Sequence, residues 1–482
     1  MKKFFPAILC GMASLCGCLQ AAEPSQKTPP NILFLMADDW GWPHSPLYGD
    51  KVVKTPALDL IARDGVLFNH AYCSASSCAP SRAAVFTGQD FWRLEEGANL
   101  LGTLPAKFPT YPDLLQKAGY AVASVGKGYS PANVEAGGRT ENPSGPSLTP
   151  SISRDSFEKY LKNLPADKPF CFWYGSRDPH RVYEKGSGVA AGIDPEKVQV
   201  PGFLPDIPEV RSDFCDYYLK VRKFNDDAMK IIDALKASGR YDNTLIIITG
   251  DNGAPFPRSK TQCYEWSMHQ PLAISWKDRI PGGRTVEDYV TFTDFAPTIL
   301  QAAGLPVPSD MTGKSLIPLL VSGKSGQVEQ ERDAVFVGRE RHTGSYPMRS
   351  IRTKEFSYIQ NLATDRDPNQ YGRGGPSMEY IIAHKDDSPE MQRFYALSFG
   401  PRPAEELYDL QKDPDELTNL AADPKFADIK KKLSDRLTAY LTKTKDPRAL
   451  GNGEFFDNLR TWDGKGKELP VVSKEKPGTG GE

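Results

Sequence analysis

The chain has 482 residues, of which 39% are hydrophobic and 25% are charged, with a formal net charge of -2. This length and composition suit one large globular domain with a smaller one attached, and they exclude a small disulfide-stapled scaffold. Because the charges nearly balance and the sequence pI is about 6.4, no global field favours nucleic acid or anionic lipid. Any recognition of anions is therefore expected to be local.

Residues 1–22 are predicted to be a signal peptide. Two lysines precede an apolar run from Phe4 to Leu19, and two alanines follow it, which is typical of an exported protein rather than of a membrane span. We therefore expect a periplasmic or secreted protein. An alternative interpretation of Leu15-Cys16-Gly17-Cys18 is a lipoprotein processing site, which would leave a lipid anchor on Cys18 at the cell envelope.

Four short apolar runs are predicted to be buried parallel strands. They lie at Asn31 to Met36, Ala121 to Val125, Phe170 to Tyr174 and Thr244 to Thr249. Helical patterns separate them, and the clearest has apolar residues at three- and four-residue spacing from Tyr218 to Leu235. This alternation predicts an α/β sheet covered by helices on both faces.

Side chains suited to catalysis follow each of these strands. They are Asp38-Asp39, Gly126-Lys127, Arg177-Asp178-Pro179-His180 and Asp251-Asn252. Ligands of open parallel sheets bind beyond the carboxyl ends of the strands, so these segments are expected to meet in one crevice. Each segment alone is compatible with an ordinary turn, but four together favour a functional site.

The remainder of the chain is predicted to form a second, smaller unit. From about residue 335 the pattern changes to shorter stretches such as Phe356 to Ile359, and it ends in a helix near Ile429 to Tyr440. We predict a catalytic domain over residues 23–334, an α+β subdomain over 335–463 and a flexible tail over 464–482. In this subdomain, Arg341 and His342 are candidates for binding sugar hydroxyls or a uronate, with a solvated charged run as the alternative.

Cys78 is the candidate nucleophile. Five cysteines follow the leader, so one is left over from any pairing. Cys78 begins a predicted helix that ends at Gly88, and the N-terminus of a helix favours a tetrahedral anion, with Arg82 one turn along to add charge. A thiol at this position is expected to be acidified and reactive, and a disulfide with Cys73 is the alternative.

The segment Cys78-Ala79-Pro80-Ser81-Arg82, followed by Thr87-Gly88, resembles the signature of the formylglycine-dependent sulfatases, a branch of the alkaline phosphatase superfamily. Further similar segments are Ala37-Asp38-Asp39, residues 55–72, Thr249 to Gly253, Lys260 with Tyr264-Glu265, and Asp294 to Thr298. The resemblance covers most of the mature chain. It implies a sandwich with a large mixed, mostly parallel sheet flanked by helices, plus a smaller C-terminal α+β subdomain.

The same resemblance implies the cofactors. Cys78 would be oxidised to formylglycine by a formylglycine-generating enzyme or an anaerobic maturase, which accounts for the odd cysteine. A Ca2+ ion would be held by residue 78 together with Asp38, Asp39, Asp251 and Asn252, and oxygen ligands suit this hard cation.

The remaining roles also follow from the resemblance. Arg82, Lys127 and Lys260 would neutralise the charge of the sulfate. His180 would protonate the leaving group or contact the scissile oxygen, and Arg181 beside it is a candidate substrate contact. One departure is that Tyr129 stands where many sulfatases have the histidine of Gly-Lys-x-His. Turnover would then require another base or a different route for the elimination step.

Within this family the chain is similar to the heparan N-sulfatase (sulfamidase)-like branch, at Asp178 to Arg181, Asp251 to Pro257, Ser345 to Ser350 and Glu406 to Asp409. The expected function is hydrolysis of an O- or N-linked sulfate on a sulfated carbohydrate, with N-sulfoglucosamine as a candidate substrate. The alternatives are a phosphatase or phosphodiesterase of the same superfamily, a glycan-binding protein without turnover, and a thiol enzyme that uses unmodified Cys78.

Overall fold

The computed structural model describes Met1 and residues 28–148, 154–366, 368, 374–463 and 466–469. The predicted signal peptide after Met1, including Cys18, lies outside the described residues, and so does most of the predicted tail. Within the described ranges, no helix combines the length and the apolar character that a membrane span requires.

Strands and α-helices alternate along much of the chain. The strands are β1 (Asn31–Ala37), β2 (Val66–Phe68), β3 (Ala71–Tyr72), β4 (Ala121–Gly126), β5 (Phe170–Gly175), β6 (Thr244–Gly250), β7 (Leu272–Ser275), β8 (Arg284–Val286), β9 (Val290–Thr291), β10 (Ala334–Arg341), β11 (Ser345–Thr353), β12 (Phe356–Asn361), β13 (Glu405–Asp409), β14 (Thr461–Trp462) and β15 (Glu468–Leu469). The helices are α1 (Pro56–Asp64), α2 (Cys78–Thr87), α3 (Tyr111–Lys117), α4 (Arg154–Asn163), α5 (Ser187–Ala190), α6 (Pro208–Ala237), α7 (Glu265–Met268), α8 (Phe295–Ala302), α9 (Ile317–Val321), α10 (Pro376–Ala383), α11 (Pro389–Phe399), α12 (Ala427–Lys443) and α13 (Glu454–Asp457).

The main sheet has seven strands in the order β4-β5-β1-β6-β7-β2-β8. The four strands β4, β5, β1 and β6 are mutually parallel, whereas β7 runs antiparallel to both β6 and β2. The four apolar runs of the sequence therefore form the parallel centre of a mixed, mostly parallel sheet. This confirms the predicted fold class.

Helices cover both faces of this sheet. Every residue of the inner strand β1 is therefore buried. Alternate side chains of β1 enter two different cores: Phe34 packs with α2, α3 and α8, while Leu35 packs with α1, α4 and α6. Helix α6 begins at Pro208, ten residues before the periodic pattern that predicted it, with proline at a helix start.

A second sheet of four antiparallel strands, β10-β11-β12-β13, forms the C-terminal region. Helix α12 packs against it through Leu433, Leu437 and Leu441. The first strand of this sheet lies against the segment before α2, where the Ser76 N–H donates to the carbonyl of Gly338. The second sheet therefore reaches the N-terminus of α2.

Candidate active site

Two adjacent strands bring four polar side chains together. Strands β1 and β6 run in register to Ala37 and Gly250, so Asp38-Asp39 and Asp251-Asn252 emerge side by side. The chain turns sharply at Asp39, which has a φ of 71°. A buried hydroxyl holds this turn, since Tyr217 donates to the carbonyl of Asp39 over 3.1 Å. All four side chains are buried.

Helix α2 adds Cys78 to this group. One ligand atom from each of Asp38, Asp39, Cys78 and Asp251 lies within 4.8 Å of the others. The Oδ1 atom of Asn252 is buried and has no hydrogen-bond partner among the described residues. A cluster of carboxylate oxygens with a spare amide oxygen fits a hard divalent cation such as Ca2+.

Two lysines place positive charge on these carboxylates. The Lys127 Nζ atom lies 2.6 and 2.8 Å from the two carboxylate oxygens of Asp38, and Lys260 Nζ lies 2.6 Å from Asp39 Oδ2. Burial favours protonation of Asp38, but the positive charges of Lys127, Arg82 and His180 together outweigh it and hold the pKa of this carboxyl below its usual value. Asp38 is therefore ionised and available as a ligand at neutral pH.

Arg82 is fully buried and holds other residues of the site in place. Its Nε donates to Asp251 Oδ2 over 2.8 Å, and its Nη1 donates to the carbonyls of Lys127 and Gly128. Burial lowers the pKa of this guanidinium, but Asp251 and Asp38 outweigh it and raise the pKa. These contacts fix Asp251 and the Lys127 loop, while direct contact of Arg82 with a sulfate stays a prediction.

The prediction that the Cys78 thiol is acidified is wrong. Burial raises the pKa of its thiol to about 12, although Lys127 and Lys260 act in the opposite direction. The sequence showed the helix N-terminus but not the complete burial of the sulfur beside carboxylates. The alternative of a disulfide with Cys73 is also excluded, because the five cysteines of the described chain are all free. An unmodified thiolate nucleophile is thus disfavoured at neutral pH.

His180 lies at the open side of the cluster. Its side chain is 43% exposed, and its Nε2 atom is 3.9 Å from Asp39 Oδ2. The other ring nitrogen, Nδ1, is 2.5 Å from the carbonyl of Arg181. Because a carbonyl only accepts, Nδ1 carries a hydrogen, and Nε2 is the atom that can exchange a proton with a ligand.

His342 follows β10 of the second sheet and contacts the segment before Cys78. Its Nδ1 atom lies 2.9 Å from the hydroxyl oxygen of Ser77, the residue before Cys78. Burial, reinforced by the positive charges of Lys260 and Arg339, holds the pKa of His342 well below its usual value. The ring is therefore neutral at pH 7.

The other candidate substrate contacts from the sequence have partners within the protein. Both terminal nitrogens of Arg181 bind the carboxylate of Asp213 at 2.8 Å. Arg341 donates to Thr461 Oγ1 over 3.2 Å. Tyr129 is buried with its hydroxyl away from solvent. Arg181 and Arg341 as substrate contacts stay predictions.

A cleft of about 540 Å3 opens over the cluster, lined by Asp38, Lys127, His180 and Arg181. Lys220, from the middle of α6, also lines the cleft. No sequence pattern indicates this role, because Lys220 lies on a helix whose charged residues predict only a solvated face. The Ser77–His342 contact joins residues 265 positions apart, so no local pattern indicates it either.

The chain matches two models of known protein families. Residues 30–305 match the family model "Sulfatase", and residues 258–372 match "N-sulphoglucosamine sulphohydrolase, C-terminal".

Two relatives and one solved structure illustrate the similarity. The human N-sulphoglucosamine sulphohydrolase is 30% identical, over 91% of this chain and 95% of the relative. An ulvan-active sulfatase from Formosa agariphila is 33% identical, over 84% of this chain and 78% of the relative. A protein solved in complex with its substrate D-glucosamine-2-N,6-O-disulfate has the same fold, with a TM-score of 0.66 and 21% identity, covering 87% of this chain and 98% of that chain.

Proposed function

Because the chain belongs to the sulfatase family, we propose that it removes sulfate from a carbohydrate with a formylglycine made from Cys78 and a Ca2+ ion beside it. The protein is a sulfatase, a sulfuric ester hydrolase whose relatives act on sulfated sugars. The observation that supports the proposed cofactors is the buried cluster of Asp38, Asp39, Cys78 and Asp251 at the end of β1 and β6.

Each proposed cofactor would supply one kind of chemistry. A hydrated formyl group at position 78 would supply a hydroxyl nucleophile, which the neutral thiol of Cys78 does not provide. A Ca2+ ion held by Asp38, Asp39, Asp251 and Asn252 would polarise the sulfate oxygens.

The side chains of the protein would do the remaining work. Lys127 and Lys260 place two ammonium groups beside Asp38 and Asp39, and Lys127 and Asp38 line the cleft, where the charge of a sulfate would lie. Arg82 keeps Asp251 in position. His180 faces the cleft with Nε2, from which it would deliver a proton to the leaving oxygen or nitrogen.

The finer substrate proposal is N-sulfoglucosamine. It is supported by the match of residues 258–372 to the C-terminal model of N-sulphoglucosamine sulphohydrolase. That region includes the segment Ser345 to Ser350 in β11, which follows His342. An O-sulfated sugar is the competing substrate, because a relative named for another substrate, the ulvan-active sulfatase, is as similar in sequence.

Export and maturation complete the proposal. We propose that residues 1–22 direct export and that a formylglycine-generating enzyme or anaerobic maturase acts on the chain, since Cys78-Ala79-Pro80-Ser81-Arg82 resembles the sequence such enzymes modify. A lipid anchor at Cys18 is the alternative to an exported form without a lipid.

The test is sulfate release by protein co-expressed with a maturase, with N-sulfoglucosamine, O-sulfated glucosamine and a phosphate monoester as substrates. We expect release from a sulfated sugar and none from the Cys78→Ala variant, with formylglycine detected in the peptide that contains residue 78. Release of phosphate at a higher rate than sulfate, or turnover by the variant, would contradict the proposal.

A further inference from the structure

The wall of the catalytic cleft carries cations that the catalytic cluster does not use. Arg177 and Lys220 line the same 540 Å3 cleft as Lys127 and His180. Arg177 follows the end of β5 by two residues. Its carbonyl accepts from the N–H of His180 at 3.2 Å, so both side chains project from one tight turn at the mouth of the cleft.

The other cations of the cleft are paired with carboxylates. Lys127 binds Asp38 and Arg181 binds Asp213. Arg177, in contrast, is exposed, and its guanidinium has no ion pair or hydrogen bond with any part of the chain that the structure describes. A guanidinium is suited to bind carboxylate or sulfate oxygens through two parallel hydrogen bonds.

Asp178, the residue after Arg177, shares its carboxylate between two lysines. Lys220 Nζ lies 3.4 Å from Asp178 Oδ1, and Lys223 binds the other oxygen of Asp178. Lys220, Lys223 and Arg177 thus accompany a single carboxylate at this turn, which leaves an excess of positive charge. The two lysines hold Asp178, whose N–H also donates to Ser176 Oγ over 3.0 Å. The turn that carries Arg177 is thus fixed to α6.

We propose that Arg177 and Lys220 form a subsite for a second anionic group of the substrate, beside the sulfate that is hydrolysed. The inference rests on the proposed function and deepens it: the preferred substrate is a sugar or short glycan that carries at least two anions. The second anion is either another sulfate on the same sugar or the carboxylate of a neighbouring uronate, because both present the same oxygens to a guanidinium.

Binding is measured first, in the Cys78→Ala background so that no turnover occurs. Titration calorimetry with N-sulfoglucosamine and with its 6-O-sulfated form should show the disulfated sugar binding about tenfold tighter, since hydrogen bonds to charged groups are the stronger class. Arg177→Ala and Lys220→Ala should each remove most of this difference, and Arg177→Lys should restore part of it. Equal affinity for the two sugars, with no effect of either substitution on a uronate-linked disaccharide, overturns the subsite.

The matched control is Lys230→Ala. Lys230 lies on the same helix and pairs with Asp227 at 2.7 Å, but it does not line the cleft. This variant should keep the preference for the disulfated sugar. A loss of preference in the control equal to that in Lys220→Ala would show a general effect of surface charge and would overturn the assignment.

Turnover separates this inference from the proposed function. In matured enzyme, the Arg177→Ala and Lys220→Ala variants should lose specificity for the dianionic substrate mainly through a higher KM, with an effect that weakens as ionic strength rises. Sulfate release without any preference would leave the proposed function standing and reject the subsite. A binding preference without sulfate release would support the subsite and reject the proposed function. A uronate-linked disaccharide that depends on Arg177 when the disulfated sugar does not would identify the carboxylate as the second anion.

Discussion

At the scale of single residues, the site is organised by cations that each bind a different carboxylate. Lys127 contacts both oxygens of Asp38, at 2.6 and 2.8 Å. Replacing it by methionine would leave a buried carboxylate without its partner and remove positive charge from the cleft floor. We expect Lys127→Met to lower kcat/KM by about a hundredfold to a thousandfold, measured as sulfate release. Activity within about twofold of the wild type, or an equal loss in the exposed control Lys230→Met, would contradict this role.

His342 is a second residue-scale case, because the family's Gly-Lys-x-His histidine is absent and Tyr129 is buried. The neutral ring of His342 contacts Ser77 next to the nucleophile. Glutamine can keep this hydrogen bond but cannot take up a proton. We expect His342→Gln to lower kcat about a hundredfold with little change in KM.

The control for this prediction is His384→Gln. His384 is exposed and pairs with Asp387 at 2.6 Å, so its replacement should leave kcat unchanged. The acid limb of the rate profile should also disappear or move in His342→Gln. A wild-type kcat in that variant would show that another group serves as the base.

At the scale of elements, one buried arginine joins the second sheet to the catalytic domain. Arg352 in β11 lies 2.9 Å from Glu265 Oε2 in α7 and 2.6 Å from Glu416 Oε1. Burial opposes ionisation of Glu265, but Arg352 and His269 outweigh it and lower the pKa of this carboxyl to about 2. The carboxyl of Glu416 has a raised pKa because burial dominates there. Glu265 is therefore the acid whose ionisation supports this junction.

The sign of the pH dependence follows from that depressed pKa. The contribution of Glu265 to stability is complete above the unfolded pKa of about 4.3, and it is lost as pH falls towards 2. We expect Glu265→Gln to lower the free energy of unfolding at pH 7 by roughly 2 to 3 kcal/mol. The difference from wild type should shrink below pH 4 in urea unfolding. A constant difference across this range, or an equal loss in the exposed control Glu355→Gln, would reject the assignment.

At the scale of the whole molecule, the sheet and the carboxylate cluster at its edge were predictable because apolar runs and strand ends are local signals. The run Asn31 to Met36 became β1, and the polar pairs after β1 and β6 meet because these parallel strands are in register. Hydrophobic periodicity predicted α6 only from Tyr218, since the consecutive residues Asp213 to Tyr218 are all buried, which leaves no one-sided pattern in the first turns.

The protonation states and the pairings were not predictable, because they depend on partners far along the chain. Arg181 looked available for a substrate until the fold placed Asp213 against it, 32 residues away. The thiol of Cys78 looked acidic from its position at a helix N-terminus, but three-dimensional burial decides its pKa. Contacts of this kind carry no fixed spacing, so a single sequence cannot reveal them.

Metal binding is the whole-molecule property that a stability measurement can test. An ion that binds only the folded protein stabilises it by about 2.7 kcal/mol at a hundred times its Kd. We therefore expect the melting temperature to fall by several degrees in a calcium chelator and to recover with Ca2+. Mg2+ should restore it less, because a small ion demands a stricter octahedral geometry.

The Asn252→Ala variant gives this test its specificity, because it removes the buried Oδ1 atom that has no partner in the described chain but keeps the Arg82–Asp251 ion pair. We expect its melting temperature to respond to Ca2+ only at higher concentrations than in the wild type. The partly exposed control Asp227→Ala, which lies outside the cluster, should respond like the wild type. An identical melting temperature in chelator and in saturating Ca2+ would mean that Lys127, Lys260 and Arg82 hold the carboxylate cluster without a metal.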